Sequence, residues 1–215
     1  MDNNSVIQKN GVTNYRAAQD LHYSNLRKGI LDDASNLLMR EGPTALSMRR
    51  IAQLVGCSTT VLYNMFGSKQ GLVDELYLRG FDMLRQAIEA IPYPGNPREY
   101  IFALCYACRN FALANPAYYS VMFLKVIPEY TPSDANRWLG EESFKLLVQA
   151  VQDCMAPGST ISDDAWEIAR TIWATLHGHV SLELVGYFNV PQPPLPRLER
   201  GLQALVDGLL SKIDS

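Results

Sequence analysis

Residues 58–69 concentrate side chains that hydrogen-bond well to nucleic acid. The hydroxyls of Thr59 and Thr60 can bond the edges of bases, and their methyl groups can contact the methyl of thymine. The phenol of Tyr63 and the ammonium of Lys69 suit phosphate oxygens. We therefore predict a DNA-contact surface that comprises Ser47, Arg49, Arg50, Ser58, Thr59, Thr60, Tyr63, Asn64 and Lys69.

Two short helices joined by a glycine turn would position these side chains. Ser47 is suited to cap a helix over 48–54, and Ser58 to cap another over 59–66, because serine hydroxyls accept from the free amides of a first helical turn. Gly56 supplies the turn between them. This arrangement is typical of a helix-turn-helix, whose second helix enters the major groove. The apolar residues predicted to pack inward are Ile51, Ala52, Leu54, Val55, Val61, Leu62, Met65 and Phe66.

The apolar periodicity of the chain predicts an all-α fold of about nine helices, without a convincing strand pair. The predicted helices cover 23–41, 48–54, 59–66, 69–90, 97–114, 116–128, 133–155, 162–188 and 197–212. A flexible N-terminal arm over 1–21 precedes a three-helix DNA-binding domain over 22–68. Residues 69–215 are predicted to form a helical ligand-binding and dimerisation domain.

Charge and composition exclude several classes of protein. The net charge of −3 argues against a protein that coats nucleic acid through bulk charge. The basic excess lies instead in residues 1–80, with nine Lys and Arg against seven Asp and Glu. Four scattered cysteines do not make a disulfide scaffold, and residues 1–20 lack the apolar core of a signal peptide. We expect a cytoplasmic protein that does not span a membrane.

The helix-turn-helix segment resembles the TetR family of transcriptional regulators. The resemblance runs through Gly42, Thr44, Ser47, Ile51, Ala52, Gly56, Ser58, Leu62, Tyr63, Phe66, Ser68, Lys69 and Leu72. It implies that Thr59, Thr60, Tyr63 and Asn64 lie in or beside the major groove, and that Ser47, Tyr63 and Lys69 hold the DNA backbone. One residue departs from the pattern, since Met65 stands where the family often has histidine.

The C-terminal part carries a second resemblance, to the Trp–His–Gly subfamily of the same regulators. It is carried by residues 173–178, which contain Trp173, His177 and Gly178, and by residues 115–123. The family forms its homodimer through the last two helices. We accordingly expect the stripes Leu176, Val180, Leu184, Leu202, Leu205 and Leu209 to meet a second copy, the alternative being that they only complete the core of one protomer.

Aromatic residues are dense in 100–144, which holds ten of the chain's 21. Helical bundles place ligand pockets between helices, and such pockets are mostly apolar with a few polar groups. We predict a pocket for a hydrophobic small molecule. Its candidate lining is Tyr106, Met122, Phe123, Trp138, Trp173 and His177, with ordinary core packing as the alternative for each.

These observations predict a ligand-responsive regulator, most simply a repressor, whose homodimer binds a near-palindromic operator in duplex DNA. A constitutive DNA-binding regulator without a ligand is the first alternative. An enzyme that pairs His177 with Glu183 or Asp164 is the second, and it is disfavoured because no nucleophile, phosphate-loop or metal motif accompanies them. Cys105 and Cys108, with His177 and His179, are disfavoured as a metal site because the cysteines fall on a helix. No cofactor and no metal is predicted.

Overall fold

The computed structural model describes residues 15–188 and 194–211, which form nine α-helices, one 3₁₀ turn over Pro43–Ala45 and no strand. The predicted all-α fold is thereby confirmed. The helices are α1 (Tyr15–Glu41), α2 (Met48–Val55), α3 (Thr59–Phe66), α4 (Lys69–Glu89), α5 (Pro97–Ala114), α6 (Pro116–Phe123), α7 (Asp134–Met155), α8 (Asp163–Leu184) and α9 (Pro194–Leu210). None of them, over the residues described, is both long and apolar enough to cross a membrane.

Helix α1 begins at Tyr15, eight residues earlier than the periodicity predicts. The side chains of 15–22 all face solvent, with Leu21 63% exposed. A helical segment whose side chains face solvent needs no apolar face, so periodicity does not reveal it. Residues 15–21 of the predicted arm therefore belong to a helix, and residues 1–14 lie outside the described residues.

Helix α6 ends at Phe123 rather than near Pro128. Lys125 takes a left-handed backbone conformation, with φ at 48°, which turns the chain out of the helix. The turn directs Ile127 and Tyr130 into the interior, where they are 2% and 5% exposed. Burial of these two side chains stabilises a path that the sequence alone did not predict.

The described chain divides into two compact units, one ending at Ser68 and the other beginning at Lys69. In the first unit, α1 packs on α2, and α2 packs on α3, around a core that includes Leu37, Leu46, Ile51 and Leu62, each at most 1% exposed. The guanidinium of Arg27 lies 5.1 Å from the ring centre of Phe66, which ties α1 to the end of α3.

Two side chains of the paired helices do not pack inward as predicted. Leu54 and Val61 are 38% and 39% exposed, whereas Val55 is half-buried on the packed side of α2. Met48, Ile51, Ala52 and Val55 already span the apolar side of α2, so the adjacent Leu54 falls outside it.

The second unit is a bundle of α4 to α9, in which α8 packs on α9, α7 and α5. Leu176, Val180 and Leu202 are at most 2% exposed within this unit, so the prediction that they meet a second copy is wrong. Leu184, Leu205 and Leu209 are half-buried. Leucine stripes that serve the core of one protomer and those that serve an interface look alike in sequence.

Candidate functional site

Helix α3 presents one polar face and one apolar face, as a recognition helix requires. Leu62, Met65 and Phe66 are at most 6% exposed and hold the helix against the first unit. The opposite side exposes four residues, which we call the recognition face: Thr60, Val61, Tyr63 and Asn64. Thr59 lies half-buried at the start of the same helix.

Val61 is the residue of this face that sequence reasoning missed, because an apolar residue beside Leu62 was assigned to the core. Val61 is 39% exposed. An apolar side chain on a groove-facing helix can contact a thymine methyl, as Thr60 can.

Both capping serines take the predicted positions. The hydroxyl of Ser47 accepts from the amide of Arg50 at 3.2 Å, and that of Ser58 accepts from the amide of Val61 at 3.4 Å. Each hydroxyl keeps its own proton, which can be donated to a phosphate oxygen. Between the helices, Gly56 adopts the left-handed conformation with φ at 71°, which a side chain would strain.

The two arginines of α2 have different surroundings. Arg50 donates from Nη2 and Nε to the carboxylate of Glu41, at 2.7 and 3.3 Å, and so ties α2 to α1. The hydrogen bond from Arg50 lowers the pKa of the Glu41 carboxyl. Arg49 is exposed and forms no ion pair with the other described residues, so of the two it is the cation available to a phosphate.

Lys69, predicted to hold the DNA backbone, is engaged with an acidic side chain in its own unit. Its Nζ lies 2.7 Å from Oε1 of Glu129, and both side chains remain substantially exposed. The hydrogen bond from Lys69 lowers the pKa of the Glu129 carboxyl. Sequence reasoning missed Glu129 because it lies sixty residues away, in the connection between α6 and α7.

The second unit contains a cavity of about 910 Å³ between its helices. The inner wall is apolar, and the exposed lining residues are charged, so the charges lie at the mouth. The lining comprises Phe81, Leu84 and Ile88 of α4, Leu104, Cys105 and Cys108 of α5, Phe123 of α6, Arg137, Gly140, Glu141, Ser143, Phe144, Leu146 and Leu147 of α7, and Asp163, Trp166, Glu167, Arg170, Trp173 and Leu176 of α8.

Aromatic rings in contact form much of the wall. The ring of Phe123 lies 5.4 Å from that of Phe81 and 5.8 Å from that of Trp173. Phe144 adjoins Trp166 at 5.9 Å. Gly140 makes room for the ring of Phe81, because a Cβ at this position would lie only 3.0 Å from that ring.

Two of the six predicted lining residues, Phe123 and Trp173, line the cavity. His177 stacks on the ring of Trp173 and does not itself line the cavity. The other three lie elsewhere. Trp138 is 57% exposed, Met122 is buried against Gly80 between α4 and α6, and Tyr106 lies near Glu199 of α9. Aromatic density alone does not say which side of a helix each ring occupies. The spacing of Trp166 and Trp173, two turns apart, was the signal that could have added Trp166.

His177 is held by neighbouring aromatic side chains rather than aimed at a reactive partner. Its ring stacks on Trp173 with 5.1 Å between centres, and its Nδ1 lies 2.7 Å from the hydroxyl of Tyr119. Burial lowers the pKa of His177 from 6.5. Glu183, considered above as its acid–base partner, instead accepts two hydrogen bonds from Arg109.

The depressed pKa of His177 predicts how stability depends on pH. Below pH 6.5 the unfolded chain takes up a proton at this position before the folded chain does, so the free energy of unfolding falls as the pH drops further. His177→Gln keeps an acceptor for the Tyr119 hydroxyl but does not titrate in this range. We therefore expect the free energy of unfolding of this variant to decrease less steeply below pH 6.5. Denaturant titrations across this range would measure it, with His22→Gln as an exposed-histidine control. An unchanged slope in His177→Gln would contradict the assignment.

The thiols of Cys105 and Cys108 are not poised to react. Burial raises the pKa of Cys105, and it raises that of Cys108 to about 12, so both thiols are neutral at physiological pH. Across 15–188 and 194–211, no group of three His, Cys, Asp or Glu residues is placed to hold a metal ion.

Comparison with known proteins gives two matches to family profiles. The profile of bacterial regulatory proteins of the tetR family matches residues 30–76, and that of the tetracyclin repressor-like C-terminal domain matches residues 101–205. Together they take in the paired helices and most of the helices that line the cavity. Neither tests the Trp–His–Gly subfamily, which stays a prediction.

Relatives and solved structures agree with the profiles. The HTH-type transcriptional regulator AlkX of Mycobacterium tuberculosis is 35% identical over 163 residues, which cover 73% of this chain and 75% of the relative. A solved structure from Rhodococcus sp. RHA1 is 27% identical, with a TM-score of 0.69 over 86% of this chain and 95% of that one. BioQ with its natural double-stranded DNA operator has the same fold, at 23% identity and a TM-score of 0.58 over 86% and 97% of the chains.

Proposed function

The chain belongs to the TetR family of DNA-binding transcriptional regulators, which are not enzymes, and we propose that it is a repressor that releases its operator when a hydrophobic small molecule enters the cavity. The observation that carries this proposal is the combination of a solvent-facing recognition face on α3 with a large apolar cavity in the second unit. The size of this cavity and its mostly apolar lining with a few polar groups are typical of small-molecule sites, which supports an effector.

The DNA contacts we propose follow from exposure and chemistry. Thr60, Val61 and Asn64 read base edges, with Thr59 at the start of the helix. Ser47, Ser58, Arg49, Tyr63 and Lys69 bind phosphates, while Arg50 positions α2 through Glu41. The solved complex of BioQ with its operator supports a DNA partner for this fold.

We also propose a homodimer, which would place two copies of α3 on successive major grooves about 34–36 Å apart. The exposed side of α8 supports it, because small residues there permit close approach of a second helix pair. That side carries Thr171, Ala174, Thr175, Gly178 and Leu182. Sedimentation at micromolar concentration should give a dimer, and a monomer would reject this part of the proposal.

The first experiment is selection of binding sites by the purified protein from random duplex DNA at a stated salt concentration. Enrichment of a near-palindrome with half-sites about one helical turn apart is the expected result. Absence of any enriched sequence, repeated after refolding to remove bound ligand, would reject the DNA-binding role.

Glu129 should compete with operator phosphate for Lys69. Glu129→Gln removes the carboxylate that occupies the ammonium at 2.7 Å, so we expect operator affinity to rise about two- to fivefold. In a Lys69→Ala background the same substitution should have no effect, and fluorescence anisotropy on all four proteins measures this coupling. A gain that persists without Lys69 would mean that the charge acts at long range instead.

A further inference from the structure

The charges at the mouth of the cavity point to the class of effector, and we propose that the cavity takes a lipophilic cation in preference to a lipophilic anion. This inference rests on the proposed effector role of the cavity. An amphiphile would place its apolar part against the inner wall and its polar part at the mouth, where α7 and the first half of α8 present charged side chains.

Neither arginine at the mouth offers an uncompensated positive charge to an anion. The guanidinium of Arg170 pairs with Glu167, which also lines the cavity. Arg137 pairs with Asp134 at 3.2 Å. A carboxylate headgroup that approached either guanidinium would also meet the negative charge of its partner.

The carboxylates at the mouth outnumber the guanidiniums. Besides Glu167, the lining includes Glu141 and Asp163, which form no ion pair with another residue in the described part of the chain. A cationic headgroup would meet two available counter-charges there, whereas an anionic one would meet two like charges.

The wall itself already accommodates one cation. The guanidinium of Arg170 lies 5.5 Å from the ring centre of Trp166, within the range of a cation–π interaction. Trp173, Phe144 and Phe123 line the cavity with further rings, and ring faces attract cations rather than anions. Deeper in, Cys105 and Cys108 are neutral thiols beside Leu104 and Leu176, so the inner end suits an alkyl or aryl group.

The test compares three probes that share one chain and differ only in headgroup: dodecyltrimethylammonium, dodecanol and dodecanoate. Isothermal titration calorimetry of the full-length protein, below each probe's micellar concentration, measures their affinities. We expect the ammonium to bind about tenfold more tightly than dodecanoate, with dodecanol between them. Dodecanoate binding as tightly as the ammonium, or no binding of any probe, would overturn the proposal.

Two variants assign the preference to the mouth. In the double variant Glu141→Gln with Asp163→Asn, ammonium affinity should fall about three- to tenfold while dodecanol affinity stays the same. Glu142→Gln is the matched control, because Glu142 neighbours Glu141 on α7 but pairs with Lys145 and does not line the cavity. An unchanged ammonium affinity in the double variant would overturn the proposal.

The same titrations separate this inference from the proposed function. If the ammonium binds with the expected preference but leaves operator affinity unchanged, the ligand class stands and the release mechanism fails. If operator selection fails while the probe order holds, the DNA-binding role fails and the ligand class stands.

Discussion

Alanine at Tyr63 is expected to weaken operator binding about ten- to hundredfold while leaving the selected sequence unchanged. Tyr63 is 50% exposed on the recognition face, next in the helix to the buried Leu62. A phosphate contact fixes the register of α3 in the groove and carries no sequence information itself. Loss of the contact should therefore lower affinity for all sites alike. Fluorescence anisotropy and repeated site selection measure the two quantities separately.

Substitution of Thr60 should give the opposite pattern. Its hydroxyl and methyl group face the bases in our assignment, so Thr60→Val should change the preferred base at one position of each half-site. Tyr93→Ala is the control for Tyr63→Ala, since Tyr93 is similarly exposed, at 56%, but lies after α4 in the other unit. If Tyr63→Ala alters the consensus and Thr60→Val does not, the assignment of Tyr63 to a phosphate and of Thr60 to the bases is wrong.

The paired helices were predictable because their signals are local. Ser47, Gly56 and Ser58 act on amides and dihedral angles within a few residues of themselves, and the structure gives each the expected conformation. The exposure of Leu54 and Val61 was not predictable in the same way. On a helix of eight residues, one extra apolar side chain beside the buried stripe leaves the periodicity intact.

Contacts between distant residues account for what the sequence did not predict at the site. Arg49 and Arg50 are neighbouring residues of the same type, so the sequence does not distinguish them. Only the packing of α1 beside α2 shows that Glu41 forms an ion pair with Arg50. The sequence predicts a helix over 69–90, but it does not show that Phe81 and Leu84 of that helix border a cavity. Trp138 and Trp166 are likewise indistinguishable by residue type. Only the packing of α7 and α8 shows that Trp138 is exposed and that Trp166 lines the cavity.

Removal of Arg109 is expected to destabilise the protein by about 3–5 kcal/mol. Its Nε donates to Glu183 at 2.8 Å and its Nη2 donates to the other carboxylate oxygen, joining α5 to α8. The two side chains are only 11% and 10% exposed. Arg109→Met therefore leaves a buried carboxylate without its counter-charge, and denaturant unfolding at fixed protein concentration measures the loss.

A second substitution separates the charge from the packing. Arg109→Met combined with Glu183→Leu removes both charges, so it should recover most of the lost stability, because an apolar pair can replace a buried ion pair of similar volume. Arg85→Met is the control, since Arg85 pairs with Asp82 and Glu89 on the exposed side of α4 and its loss should have a small fraction of the effect. If the double variant is as unstable as Arg109→Met, the arginine stabilises α5 and α8 through the packing of its alkyl chain rather than through its charge.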